Sequence, residues 1–118
     1  MQRFARSVKN ALLGIRALVK HERNFQIQLA VFLLVILMGV YFSITRFEWV
    51  VIILVSALVF ALEAMNTSIE HLANFIHPEK NDKIGLLKDI AAGSVLMASI
   101  SALIIGVIVF YDYVIQLF

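Results

Sequence analysis

Glu63, Asn66 and Glu70 follow one another at spacings of three and four residues directly after an uncharged run from Trp49 to Leu62. On an α-helix that spacing places all three side chains on one face. A carboxylate at membrane depth is costly, and it is found there paired, protonated or doing chemistry. Hard oxygen ligands of this kind suit Mg²⁺, which takes one or two carboxylates and fills its other positions with water and substrate phosphate. A carboxylate at the rim of a low-dielectric region also suits a general base acting on a hydroxyl. Lys88-Asp89 lies at the same depth, and a lysine there can neutralise the charge of a transferring phosphoryl group. Glu22, at the end of a basic N-terminal stretch, could supply a further ligand. The plainer alternative is that Glu63 and Glu70 only form ion pairs with Lys88 or with that basic stretch.

These groups need elements that hold them at such a depth. Hydrophobic residues make up 62% of the 118 residues and charged residues 15%, whereas soluble domains are nearer half apolar and a quarter charged. Residues 27–42 cover roughly 24 Å as a helix, short of a hydrocarbon core of about 30 Å. Phe25 and Gln26 therefore belong to the same helix, and the first span is set at 25–43. Residues 43–48 form a tight turn flanked by Tyr41 and Trp49 as interfacial aromatics. The uncharged run that follows covers only about 21 Å, so its helix must continue through Glu63, and the second span with its extension is set at 48–76. His77-Pro78 ends it, because proline disfavours helix in the residue before it. A polar loop leads to a third span over 84–114, whose start carries the small-residue patch Ala91-Ala92-Gly93-Ser94, suited to close helix approach. In residues 2–22, Phe4, Val8, Leu12, Ile15 and Val19 recur every three or four positions among basic residues, as in a helix lying in the membrane interface. The fold expected is thus all-α and integral to the membrane: one domain, 1–118, with a surface helix and three transmembrane helices.

The charges orient this arrangement. Nine of the ten Lys and Arg residues lie in the N-terminal stretch or in the loop and helix start between Lys80 and Lys88; the exception is Arg46. That bias puts the N-terminus and the 77–88 segment in the cytoplasm, and the 43–48 turn and the C-terminus outside. The same distribution argues against a nucleic-acid partner. The absence of cysteine excludes thiolate catalysis and Cys-based zinc sites. No P-loop, dinucleotide-binding or protein-kinase signature is present. His21, His71 and His77 lack metal-ligand spacing and read as interfacial residues. A non-enzymatic channel using Glu63 and Glu70 as intramembrane acids is the rival reading. Transport favours polar residues repeated along the spans, whereas here they collect at one depth.

Glu63-Ala-Met-Asn66-Thr-Ser-Ile-Glu70, followed by Lys88-Asp89-Ile-Ala-Ala-Gly-Ser, resembles the paired signature of the prokaryotic diacylglycerol kinase and undecaprenol kinase family. Gly14-Ile-Arg16-Ala and Glu22-Arg-Asn-Phe25 resemble its surface-helix and first-span motifs, so the likeness covers nearly the whole chain. It implies a homotrimer with composite active sites in the bacterial inner membrane, transferring the ATP γ-phosphate to a lipid hydroxyl. Carried over by position, Glu63 is the general base, and Glu22 and Glu70 hold Mg²⁺. Asn66 and Lys88 contact the transferring phosphate, and Asp89 with Glu79, Lys80 and Asn81 lies near the nucleoside. Arg3 and Asn10 fall at nucleotide-contacting positions. Two departures bear on the substrate: Gln28 and Asn74 stand where the well-known diacylglycerol kinase has acids. The Glu22-Arg23-Asn24 entry and the missing acid at 28 look more like the undecaprenol kinases, so undecaprenol is the favoured acceptor and diacylglycerol the alternative.

Overall fold

The helix boundaries follow from a few capping side chains. In the computed structural model, which describes residues 1–118, four helices follow one another: α1 Gln2–His21, α2 Arg23–Phe42, α3 Arg46–Ile76 and α4 Asp82–Ile115. Glu22 alone separates α1 from α2, its backbone extended at φ −101°, ψ 109°. Gln26, one turn into α2, reaches back and donates from Nε2 to the carbonyls of Val19 (2.8 Å) and Lys20 (3.3 Å). Two of the carbonyls that a helix end leaves without partners are thereby satisfied, which fixes the elbow.

The turn after α2 is shorter than the 43–48 segment expected. Ser43 takes the left-handed conformation at φ 51°, and the amide of Ile44 returns to the carbonyl of Gly39 at 3.1 Å, a common helix ending. Thr45 then caps α3: its hydroxyl accepts from the Glu48 amide (3.2 Å), and the Glu48 carboxylate accepts from the Thr45 amide (2.9 Å). This reciprocal capping box starts α3 at Arg46, two residues before the expected position. Likewise Asn81 accepts from the amides of Lys83 and Ile84, so α4 begins at Asp82 rather than at 84.

α2, α3 and α4 are each long and apolar enough to cross a membrane. The buried positions of α3 (Ile52, Val55, Val59, Glu63, Thr67) step by three or four residues, which makes one stripe. α4 answers with Ala91, Val95 and Ala98, and the small alanines let the two backbones close in. The α3–α4 interface is the most extensive; α2 packs less fully on α3, and α1 packs chiefly on α2. At the end carrying the 43–45 turn, Ile44, Ile52, Val109 and Phe110 form the one buried apolar cluster. There Tyr113 also donates to Glu48 at 2.6 Å. Near the opposite end Lys88 donates to Asn74, so α3 and α4 run antiparallel.

The molecule measures 54 × 43 × 21 Å. The longest dimension matches the roughly 51 Å of a 34-residue helix, and the shortest is about two helix diameters. The 43 Å dimension exceeds what three packed helices need, so α1 projects away from them. No residue of α1 is buried, and large apolar side chains such as Leu37, Leu58, Leu96 and Ile108 stand at least half exposed. Such an apolar exterior suits a hydrocarbon surround.

Candidate active site

The acidic face of α3 passes from buried to open along its length. Glu63 is 4% exposed; Asn66, one turn on, is half-buried, and Glu70 is exposed. Glu63 therefore sits within the apolar stripe that packs on α4. Its Oε2 accepts a hydrogen bond from Gln28 Nε2 of α2 at 3.3 Å. Thr67, four residues after Glu63 on the same stripe, is 7% exposed.

Two further contacts from neighbouring helices reach the same stretch of α3. Glu22, at the α1–α2 elbow, brings Oε1 to 3.4 Å from His71 Nε2, the only acid–base approach within 4 Å in the chain. From α4, Lys88 donates to the Asn74 side-chain carbonyl. An ammonium has three donors, so Lys88 keeps two for another partner. The stretch from Glu63 to Asn74 measures about 16 Å. Along it the structure gathers Glu63, Asn66, Glu70, Glu22 and Lys88. Within the chain, neither Glu63 nor Glu70 forms an ion pair with Lys88 or with the basic residues of α1.

A concavity of about 300 Å³ lies beside this stretch, lined by Pro78, Glu79, Lys80, Asn81, Ile84, Gly85 and Lys88. It joins the expected loop residues Glu79, Lys80 and Asn81 to Lys88. Asn81 is committed through its side-chain oxygen to the start of α4, so only its amide nitrogen is free to meet a ligand. Asp89 is exposed on the first turns of α4, and Arg3 and Asn10 are exposed on α1. None of these three makes a side-chain hydrogen bond to the Glu63–Asn74 stretch.

No group of three or more His, Asp and Glu side chains gathers as a self-sufficient metal cage. Mg²⁺ does not require one, because it dehydrates reluctantly and is held by one or two carboxylates together with phosphate oxygens. Glu70 is exposed, and Glu22 is directed at His71, the next residue along α3. Such a sparse set of oxygen donors fits a cation that arrives with a phosphate substrate.

A sequence model of the family described as prokaryotic diacylglycerol kinase matches residues 9–110. The chain belongs to this family. Relatives agree: the undecaprenol kinase of Bacillus subtilis (strain 168) is 34% identical over 110 residues, 93% of this chain and 89% of the relative. The diacylglycerol kinase of Synechocystis sp. (strain ATCC 27184 / PCC 6803 / Kazusa) is 31% identical over 101 residues, 85% of this chain but 58% of the relative. As a prokaryotic diacylglycerol kinase family member, the protein is an enzyme of the lipid-kinase class.

Within this family member, four residues adjoin the acids or Lys88 without having been singled out as site residues from the sequence. Thr67 could have been found, since it lies one turn from Glu63 on the same face. Gln28 also carried a signal, as an amide set among the apolar residues of the first span. Asn74 was marked only as a departure from a relative's acid and His71 not at all, because what brings them to Lys88 and Glu22 is the approach of other helices.

Proposed function

We propose that this protein is an ATP- and Mg²⁺-dependent kinase that phosphorylates the hydroxyl of a membrane lipid, undecaprenol in preference to diacylglycerol. The observation that carries this reading is the gradient along α3: one carboxylate sealed in apolar surroundings, a second exposed about two turns away. A membrane alcohol and a water-soluble nucleotide must meet, and these two environments suit one each. The 34% identity to an undecaprenol kinase supports the choice of lipid.

Glu63 takes the proton of the lipid hydroxyl as its oxygen attacks the γ-phosphorus, and the bond from that phosphorus to the β-bridging oxygen breaks to release ADP. Asn66 and Lys88 contact the transferring phosphoryl group, whose negative charge Lys88 offsets. Glu22 and Glu70 hold the Mg²⁺, which when bound neutralises charge on the ATP phosphates. Glu79, Lys80, Asn81 and Asp89 border the nucleoside, and Arg3 and Asn10 approach the nucleotide from α1. The protein works in the bacterial inner membrane with its N-terminus in the cytoplasm, its C-terminus outside and α1 in the interface. Its exposed apolar helix faces and the openness of the site support a homotrimer in which neighbouring copies complete each site.

Purified protein in lipid, given labelled ATP and Mg²⁺ with either undecaprenol or diacylglycerol, is expected to label undecaprenol faster. Label in neither lipid removes the kinase reading, and faster labelling of diacylglycerol reverses the choice of acceptor.

A further inference from the structure

Glu63 is held by a side chain that has one polar atom left over. A carboxylate only accepts hydrogen bonds, so the Gln28 amide must turn its nitrogen toward Glu63. That fixes where the amide oxygen goes. Gln28 Oε1 is buried and has no donor anywhere in the protein. Buried acceptors are nearly always satisfied, so the missing partner is something that carries a hydrogen to donate.

The surroundings say what that donor is attached to. Gln28 lines a groove of about 720 Å³ bounded by α2, α3 and α4, and sixteen of the twenty lining residues are hydrophobic. Ile27, Val31, Phe32 and Phe60 line the same groove. A lone water would find few of the two to four polar partners it needs there. From Ser99, at the Gln28 end, the groove follows α4 to Ile115, about 24 Å away. One end is thus polar and adjoins the base, and the remainder is a long apolar trough. At its polar end the Gln28 oxygen is left without a donor. A glycerolipid would bring two ester carbonyls to that end, adding acceptors where one is already unpaired. A polyprenol brings a hydroxyl and nothing else polar.

We infer that Gln28 seats the acceptor alcohol: its Nε2 orients Glu63 while its Oε1 accepts from the hydroxyl of a polyprenol whose single chain lies along the α2–α4 groove. This rests on the lipid-kinase reading above. The hydroxyl has one proton, which is on the alcohol and directed at Gln28 Oε1 before attack. Rotation about the C–O bond turns it to Glu63, which takes it as the oxygen–phosphorus bond forms.

The test measures kcat and KM for both substrates in wild type and in Gln28→Met, which keeps the length and removes both polar atoms. Losing one hydrogen bond corresponds to about a ten-fold change, so the KM for geranylgeraniol is expected to rise about ten-fold. The KM for ATP should stay as in wild type, which also shows that the variant is folded. Geranylgeranyl methyl ether, which cannot donate, is used as a competitor; it should inhibit wild type and Gln28→Met equally. Val107→Trp, which fills the groove far from Glu63, should raise the KM for geranylgeraniol more than that for the shorter geraniol. An unchanged alcohol KM in Gln28→Met overturns the seating role, as does an ether that loses affinity in parallel with the alcohol. A Val107→Trp effect independent of chain length overturns the groove assignment. If wild type phosphorylates no polyprenol, the kinase reading and this inference fall together; an active wild type with an indifferent Gln28 removes the inference alone.

Discussion

Replacing Gly39 by alanine tests how tightly the 43–45 turn locks α2 onto α3. A Cβ at Gly39 would lie 2.6 Å from Cη2 and 2.8 Å from Cζ2 of Trp49, and 3.1 Å from Cδ1 of Ile44. Carbon atoms settle at about 3.5 Å or more, so the indole must withdraw by nearly 1 Å. It cannot do so by bending, since the ring is planar. Either its rotamer changes or the two helices part. Overpacking of this kind costs about 1–3 kcal/mol, offset in part by the better helix propensity of alanine, worth up to about 1 kcal/mol. The net expectation is a loss of about 1–2 kcal/mol, a roughly five- to thirty-fold fall in the folding equilibrium constant. Trp49 is the only tryptophan, so its emission during denaturation in mixed micelles reports both the stability and the local disturbance. Gly14→Ala is the control: nothing lies within 4 Å of a Cβ there, and the same propensity gain should make it neutral or stabilising. If Gly39→Ala unfolds at the same denaturant fraction as wild type with an unshifted Trp49 spectrum, the close packing at this turn is wrong.

Other perturbations address the site and its frame. Glu63→Gln keeps the shape but removes the base; turnover should fall about 10²- to 10⁴-fold with the KM for ATP unchanged, and near-normal turnover would take Glu63 out of that role. Glu70→Ala should raise the Mg²⁺ concentration needed for half-maximal activity, whereas an unaltered Mg²⁺ titration would show that Glu70 is not a ligand. Thr45→Ala breaks the reciprocal cap with Glu48. It should cost about 1 kcal/mol in the same micelle denaturation, and turnover per folded molecule should be unchanged.

The helices themselves were legible because hydrophobic runs and a proline mark them in one dimension. The starts of α3 and α4 were displaced by two residues for a reason that is also local: Thr45 with Glu48, and Asn81, cap from outside the apolar runs that marked the spans. The acidic face was legible because three residues on one helix share a periodicity. What could not be read was the identity of the partners. Gln28 and Glu63 lie 35 residues apart and Asn74 and Lys88 lie 14 apart, and each pair joins different helices. Periodicity assigns a residue to a face but says nothing of what another helix brings to that face. Gln28 and Asn74 drew notice only as departures from a relative's acids, yet each turns out to hold a residue of the proposed machinery.

The gradient from Glu63 to Glu70 has a cause in helix length rather than in helix face. Both residues share a face with Asn66, so rotation about the axis cannot explain why one is sealed and the other open. α2 and α3 leave the same turn, but α2 has 20 residues and α3 has 31. α3 is longer by 11 residues, about 16 Å, so its last turns extend past the start of α2. Gln28 lies within α2 and covers Glu63; Glu22, at the elbow where α2 begins, reaches His71, and beyond that level α3 has no α2 beside it. Glu70 stands at the edge of this overhang and is therefore open. A buried base and an exposed carboxylate thus arise from one stripe because the neighbouring helix stops between them, and the α1–α2 elbow brings a second carboxylate to the place where it stops.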